Sequence, residues 1–158
     1  MITQPKNFMG NILVAEDDPD DRLFVKQALK ETGFTGNLHF VNDGLELMKY
    51  LDFSRCQENT EASPRPDLIL LDLNMLGKTS GLEALQDIKS EPDLNGIKIV
   101  AMTGSEMLHE AEMCLRLGAE CLMSKPASYK SWVEIMGGVL GLMPDTSAKK
   151  AVIPRSDA

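Results

Sequence analysis

Acidic, hydroxyl and amine side chains follow four short apolar segments of the sequence. These segments lead into Glu16 and Asp17, into Asp72, into Thr103 and into Lys125. A short apolar run without alternation is typical of a strand buried on both faces of a parallel sheet. Because parallel strands present their chemistry at their carboxyl ends, we expect these side chains to meet at one edge of the sheet.

The three carboxylates of Glu16, Asp17 and Asp72 would repel one another when they are brought together, and burial adds a desolvation penalty. A cation offsets that penalty. Oxygen ligands without a nearby histidine or cysteine favour a hard ion. Few protein ligands with room for water favour Mg²⁺ over Ca²⁺. The sequence therefore predicts a magnesium site at this edge.

A carboxylate beside a cation, a hydroxyl and an amine is the set of groups that phosphoryl transfer to an acid requires. Asp72 is the predicted acceptor of the phosphoryl group. The Thr103 hydroxyl is expected to bond a phosphoryl oxygen, and the Lys125 ammonium offers donors to the incoming anion. The added group carries roughly −1.5 to −2 charges, enough to reorganise neighbouring loops.

The remaining sequence supplies the elements that position these groups. Five apolar strand segments alternate with five amphipathic helical segments, and the strands are predicted at 11–15, 38–41, 68–72, 97–102 and 119–124. This alternation predicts one doubly wound α/β domain with a parallel sheet. The expected strand order, 2-1-3-4-5, is taken from known doubly wound sheets such as that of flavodoxin. We expect the domain to span 9–143, with flexible termini at 1–8 and 144–158.

Local signals set the limits of the first helix. Asp18 is a good N-cap, Pro19 occupies the favoured first position, and Asp20 and Asp21 complement the helix dipole. Gly33 is a plausible end for this helix.

Two other segments are harder to interpret. From about 52 to 66 the apolar pattern is lost, which predicts an exposed loop. On the last helix, Ile135, Val139 and Leu142 form a second apolar edge. That edge suits a homodimer or partner surface, and it suits additional core equally well.

Composition excludes several classes of protein. The 158 residues are 43% hydrophobic, and no apolar run approaches the ~20 residues that a membrane span requires. A net charge of −8 argues against binding to nucleic acid or to anionic membranes. Cys56, Cys114 and Cys121 lack the spacing of a disulfide framework or zinc site. The start of the chain lacks a secretory signal, so the expected location is the cytoplasm.

The order of these motifs resembles the receiver domain of two-component response regulators. The match covers roughly 11–142 and includes the pairs Thr103-Gly104 and Lys125-Pro126. The resemblance implies that the protein is a phosphoacceptor signalling domain and not an enzyme. Phosphorylation from small donors and autodephosphorylation are compatible with that role.

The resemblance also assigns roles to individual residues. Asp72 corresponds to the phosphoacceptor, Asp17 to a direct Mg²⁺ ligand, and Glu16 to an outer-shell or water-mediated ligand. Asn74 corresponds to the residue that gives its backbone carbonyl to the metal. Thr103 and Lys125 correspond to the phosphate-sensing hydroxyl and the family's cation, and the Lys125–Pro126 bond is expected to be cis.

The implied partner is a sensor histidine kinase, and the signal would be relayed through phosphorylation-dependent protein interaction. Two segments, 64–67 and 70–74, resemble the phytochrome-linked single-domain regulators. A phytochrome-type kinase is therefore a candidate partner. The downstream protein is not identified by the sequence.

Three positions depart from the family pattern. Leu76 stands where the family usually has proline, Gly81 falls one residue late, and Leu122 replaces the usual aromatic switch residue. These departures favour an alternative, a receiver-fold interaction module with impaired or atypical switching. An aspartyl-phosphate phosphohydrolase fits less well, because those enzymes place a second acid where this chain has Asn74.

Overall fold

Five short apolar segments form a fully parallel β-sheet. The computed structural model describes residues 9–56, 63–75, 80–104 and 108–143. Its strands are β1 (Asn11–Ala15), β2 (Asn37–Val41), β3 (Leu68–Asp72), β4 (Lys98–Thr103) and β5 (Cys121–Ser124). Their order in the sheet is β2-β1-β3-β4-β5, which confirms the prediction. The limits of β2, β4 and β5 differ from the predicted ones by one or two residues.

A helix follows each strand and covers one face of the sheet. The helices are α1 (Pro19–Glu31), α2 (Gly44–Cys56), α3 (Gly81–Ser90), α4 (Leu108–Leu117) and α5 (Tyr129–Leu140). Side chains of α1 and α5 share one hydrophobic cluster, and side chains of α2, α3 and α4 share the other. The three central strands, β1, β3 and β4, are therefore largely buried on both faces, as their apolar sequences require.

Strand β3 lies at the centre of the sheet, and all five of its residues are buried. Ile69 and Leu71 belong to the cluster beneath α2, α3 and α4, whereas Leu68 and Leu70 belong to the cluster beneath α1 and α5. This division follows from the strand period of two, which sends alternate side chains to opposite faces. The apolar run before Asp72 is thus explained by burial on both sides.

The strand register brings the carboxyl ends of β3, β4 and β5 level with one another. Asp72 is paired with Met102, and Thr103 is paired with Ser124. Beyond the last pair, the backbone N–H of Lys125 donates to the Thr103 carbonyl at 2.8 Å. The polar side chains at these strand ends therefore occupy one edge of the sheet.

Helix α2 is longer than the sequence pattern predicted. It continues to Cys56, so the loop predicted to begin near Asp52 is wrong over its first residues. The extension is stabilised because Leu51 and Ser54 are buried, and the Ser54 hydroxyl donates to the Leu51 carbonyl at 2.9 Å. Residues 57–62 lie outside those described.

The segment that precedes β3 is also less exposed than predicted. Pro64 and Pro66 are buried, and the Tyr50 hydroxyl donates to the Pro64 carbonyl at 2.9 Å. Proline has no backbone N–H group, so burying Pro64 and Pro66 leaves no unsatisfied backbone donor at these two positions. The predicted loop is therefore confirmed at 63–66, and its predicted exposure is wrong at Pro64 and Pro66.

The second apolar edge of α5 packs within the domain. Val139 is buried, and Ile135 and Leu142 are partly buried against the same cluster. This packing favours the interpretation as additional core.

None of the helices in the described ranges has the length and apolar character of a membrane span. The termini predicted to be flexible, 1–8 and 144–158, fall outside those ranges.

Candidate functional site

The exit of β1 forms an acidic turn that also starts α1. The Asp18 carboxylate accepts from the backbone N–H groups of Asp20 and Asp21, at 2.8 and 3.3 Å. These bonds confirm Asp18 as the N-cap, and Pro19 stands at the first helical position as predicted. The backbone N–H of Asp18 donates to Glu16 Oε2 at 3.2 Å. The cap therefore fixes the Glu16 side chain as well as the helix.

Arg22, on α1, stabilises the acidic turn that follows β1. Its Nε donates to the Glu16 carbonyl at 2.6 Å, and its guanidinium lies 5.3 Å from the centre of the Phe40 ring. The backbone N–H of Glu16 donates to the Val41 carbonyl at 3.0 Å. These contacts hold the acidic turn against the edge of the sheet.

Asp72 is buried at the end of β3, with only 1% of its surface exposed. Its Oδ1 accepts from the backbone N–H of Asn74 at 2.9 Å, and its Oδ2 accepts from Lys125 Nζ at 3.0 Å. The Asn74 amide donates to Thr103 Oγ1 at 3.0 Å, which ties the exits of β3 and β4 together. Thr103 is also buried, with 2% exposure.

Gly81 allows α3 to begin directly against the backbone of β3. A Cβ atom at this position would lie 2.6 Å from the Asp72 carbonyl oxygen and 2.6 Å from Leu73 Cα. Both neighbours are backbone atoms, so neither can turn aside as a side chain would. The first turn of α3 therefore requires glycine to pack beside Asp72.

Lys125 lies at the centre of the acidic groups, and 16% of its side chain is exposed. Its Nζ lies 2.8 Å from Glu16 Oε1, 2.8 Å from Asp21 Oδ2 and 3.0 Å from Asp72 Oδ2. An ammonium group has three N–H donors, so three carboxylates are enough to occupy it. This single cation partly neutralises an otherwise strongly negative site.

Burial and charge shift the pKa values of two of these groups. Burial raises the pKa of Glu16 to about 8; Lys125 opposes this rise and Asp72 adds to it. The 2.8 Å contact of Glu16 Oε1 with Lys125 is an ion pair without a well-directed hydrogen bond. Burial lowers the pKa of Lys125, but its contacts with Asp21, Glu16 and Asp72 outweigh that effect and raise it above its usual value.

The carboxylates of Glu16, Asp17 and Asp72 fit a hard divalent cation. Each offers one oxygen, and these oxygens lie within 4.8 Å of one another. The set contains neither sulfur nor nitrogen, which favours Mg²⁺, Mn²⁺ or Ca²⁺ over zinc. Glu16 Oε1 is buried without a directed hydrogen bond, so a cation would satisfy an oxygen that the protein alone leaves incomplete.

Comparison with known proteins assigns this arrangement to a family. The model of the response regulator receiver domain family matches residues 12–136. The chain belongs to this family. The response regulator Rcp1 of Synechocystis sp. is 36% identical to this receiver over 128 residues, covering 81% of this chain and 84% of that protein.

Two solved structures of response regulators share the fold and more than a quarter of the sequence. The Mn²⁺-bound form of Rcp1 aligns with a TM-score of 0.71 and 34% identity, covering 82% of this chain and 91% of that one. The phosphorylated cyanobacterial phytochrome response regulator RcpA aligns with a TM-score of 0.74 and 30% identity, covering 93% and 99%. The resemblance to receivers, and to phytochrome-linked regulators among them, is therefore confirmed.

The structure brings the predicted site residues of this receiver together. Glu16, Asp17 and Asp72 form the acidic cluster, Lys125 contacts two of its members, and Thr103 joins through Asn74. The metal role predicted for the Asn74 carbonyl stays a prediction. The observed contacts of Asn74 are made by its backbone N–H and its side-chain amide.

One carboxylate of the site was missed by sequence reasoning. Asp21 was assigned only to the helix dipole, yet its Oδ2 accepts from Lys125 Nζ at 2.8 Å. Asp21 is the third residue of α1, and side chains of a helix point back towards its N-terminus. That direction is the signal that could have placed Asp21 beside the acidic turn.

The expected cis bond before Pro126 is wrong. Among the described residues no peptide bond is cis, so Lys125–Pro126 is trans. The ladder bond from the Lys125 N–H to the Thr103 carbonyl fixes the backbone, and the long side chain reaches the acidic cluster from there. The amine is therefore positioned without a cis isomer.

The three departures from the family pattern have different outcomes. Leu122 lies on β5, is partly buried and packs against the cluster beneath α2, α3 and α4. Gly81 is the first residue of α3 and packs against the backbone of Asp72 and Leu73. Leu76 falls in 76–79, outside the described residues, so the shape of that loop stays a prediction.

Proposed function

We propose that this receiver accepts a phosphoryl group on Asp72 from a sensor histidine kinase, with Mg²⁺ as cofactor, and relays the signal through phosphorylation-dependent protein interaction. The observation that carries the proposal is the position of Asp72. It is a buried carboxylate with one oxygen on the Asn74 N–H and the other on Lys125 Nζ. An aspartate with only a structural role would not require an ammonium group and an acidic cluster beside it.

The transfer replaces one phosphorus bond with another. A carboxylate oxygen of Asp72 forms the new P–O bond while the P–N bond of the kinase phosphohistidine breaks, and the leaving imidazole takes up a proton. Lys125 donates to the anion during the transfer, and the Thr103 hydroxyl offers a further donor. Asp72, now an acyl phosphate, carries the added charge that neighbouring loops sense.

The carboxylates of Glu16, Asp17 and Asp72 are proposed to hold the ion. A bound Mg²⁺ supplies charge neutralisation for the transferring group. The all-oxygen set and its compact spacing support this assignment. The relative Rcp1 has a Mn²⁺-bound form, which supports the same class of ion in this chain.

A phytochrome-type histidine kinase is the proposed partner. The 30% identity with the phytochrome response regulator RcpA over 93% of this chain supports that choice. We further propose a cytoplasmic location, which the free thiol of Cys121 supports because a reducing compartment keeps thiols in this form.

Intact-protein mass spectrometry after incubation with acetyl phosphate and Mg²⁺ tests the site. We expect the addition of one phosphoryl group to the wild-type protein, with no addition after EDTA treatment. Asp72→Asn should abolish the addition completely, because an amide cannot attack phosphorus at this site. Asp67→Asn, at the other end of β3, is the matched control and should still be labelled.

A wild-type protein whose mass never changes with acetyl phosphate, with phosphoramidate or with a phytochrome-type kinase would contradict the proposal. Labelling that survives in Asp72→Asn would contradict the choice of acceptor. Both results can be read from the same spectra.

A receiver-fold interaction module with atypical switching is the second candidate, and Leu122 favours it. Leucine at this β5 position is partly buried against aliphatic core and lacks the ring expected of the family. Partner affinity measured with and without beryllofluoride separates the two candidates. A change in affinity supports the phosphorylation switch, and equal affinities support the constitutive module.

A further inference from the structure

We infer that Asp21 is a positioning residue that competes with the phosphoryl group for Lys125 and strengthens cation binding at the expense of anion binding. This inference rests on the function proposed above. Its basis is the 2.8 Å bond from Lys125 Nζ to Asp21 Oδ2, which equals the Glu16 contact and is shorter than the 3.0 Å contact with Asp72. No motif of the sequence assigned Asp21 to the site.

Two donors of Lys125 are hydrogen-bonded to Asp21 and Asp72 before any phosphoryl group is present, and its contact with Glu16 is an ion pair. Glu16, Asp21 and Asp72 each receive one contact from Nζ. A phosphoryl group on Asp72 brings three strong acceptor oxygens. To direct all of its donors to these oxygens, Lys125 must give up its contacts with its present partners, so each partner competes with the phosphoryl group.

Asp21 differs from the other two partners of Lys125. Glu16 and Asp72 belong to the acidic cluster that fits a divalent ion, and Asp21 does not. An ion bound by Glu16 and Asp72 weakens their hold on the ammonium, because it neutralises their charge. Asp21 then remains the partner whose full charge is available to Lys125.

The position of Asp21 suits a lasting competitor. Asp18 caps α1 through the backbone N–H of Asp21, which fixes where the helix presents this side chain. The Asp21 side chain is 21% exposed, so solvent screens its charge only in part. The charge of the Asp21 carboxylate therefore affects the binding of both the divalent cation and the phosphoryl group at this edge of the sheet.

Asp21 has opposite effects on the binding of a divalent cation and on the binding of a phosphoryl anion. Asp21 offsets the Lys125 charge that repels a divalent cation, so it favours cation binding. It also retains the ammonium and adds negative charge beside an incoming phosphoryl group, so it opposes anion binding. Removing the charge of Asp21 while keeping the shape of its side chain should weaken cation binding and strengthen anion binding.

Asp21→Asn makes that change, since the amide oxygen can still accept from Lys125. By isothermal titration calorimetry, we expect Mg²⁺ affinity to fall about threefold to fivefold, the size of one partly screened charge contact. At saturating Mg²⁺, the affinity for beryllofluoride should rise by a similar factor. Thermal unfolding checks that the variant is folded.

Asp20→Asn is the matched control, because it removes the same charge from the neighbouring exposed position of α1. Both affinities of this variant should stay within about twofold of wild type, since an exposed charge is screened. The opposite signs at Asp21 are the decisive result, because a residue that merely supports the fold would lower both affinities.

Three results would overturn the inference: both affinities of Asp21→Asn fall, neither changes, or Asp20→Asn changes them equally. A wild-type protein that binds Mg²⁺ but no beryllofluoride would overturn the proposed function itself. The wild-type titration thus separates failure of the function from failure of the role of Asp21.

Discussion

The two ends of β3 each carry an aspartate, and the two aspartates have different surroundings. Asp67 precedes the strand, is half-buried, and accepts from the backbone N–H of Asn11 through its Oδ2 at 2.8 Å. Asp72 ends the strand, is buried, and contacts Lys125 within an acidic cluster. An aspartate therefore completes the pairing of β1 with β3 at one end of the strand, and an aspartate forms part of the candidate site at the other end.

Neighbours decide which role each aspartate has. At the amino end, the backbone N–H of Asp67 donates to the Asn11 carbonyl at 2.8 Å, so backbone and side chain together complete the pairing of β1 with β3. At the carboxyl end, strand direction brings Glu16, Thr103 and Lys125 beside Asp72. Partial neutralisation of several buried charges is needed only there.

Removing Lys125 should produce the largest change in the difference between the two ends of β3. Lys125→Met keeps an unbranched side chain of nearly the same length, and it leaves the Asp72 carboxylate and any ionised Glu16 buried without their cation. We expect the metal-free protein to lose about 3 kcal/mol of unfolding free energy, because breaking a buried pair leaves uncompensated charge. Urea denaturation in EDTA measures the loss.

Mg²⁺ provides the internal control for this variant. A divalent ion compensates the same carboxylates, so Mg²⁺ should raise the melting temperature of Lys125→Met more than that of the wild-type protein. Equal increases in the two proteins would contradict the view that the ammonium and the ion neutralise a common set of charges.

The pH dependence of metal binding should give the next effect. Burial raises the pKa of Glu16 to about 8, so this carboxyl is mostly protonated at pH 7 when no ion is bound. A metal ion must displace that proton, and Mg²⁺ affinity should therefore rise about fivefold from pH 7 to pH 8. Above pH 8 the affinity should level off. Calorimetric titration at constant ionic strength measures the profile.

Glu16→Gln is the control for this profile, because it removes the titrating group from the acidic cluster. The variant should bind Mg²⁺ more weakly and show a flat profile over the same range. If the slope persists in Glu16→Gln, the proton belongs to another group and the assignment to Glu16 is wrong.

Sequence alone predicted the fold and most of the site because both depend on local patterns. The apolar run before Asp72 determined a strand buried on both faces, and strand direction then determined which residues share an edge. The separation of Glu16 and Asp17 from Asp72 along the chain did not matter, since each stands directly at a strand end.

The parts that sequence did not predict depend on tertiary contacts. Asp21 reaches Lys125 across 104 positions of sequence, through the packing of α1 beside the exit of β5. The continuation of α2 past Asp52 accompanies the burial of the Ser54 side chain. Neither feature leaves a periodic signal, so propensity and spacing could not reveal them.

Asp67→Ala should have the smallest effect at the chemical site, since it changes only the amino end of β3. The variant loses the hydrogen bond from the Asn11 N–H, and we expect about 1 kcal/mol less unfolding free energy by urea denaturation. Labelling of Asp72 by acetyl phosphate should match wild type. The exposed Asp87→Ala on α3 is the control and should change stability by no more than about 0.5 kcal/mol. Loss of labelling in folded Asp67→Ala would show that the two ends of β3 are coupled and that their separate roles, inferred from their neighbours, are wrong.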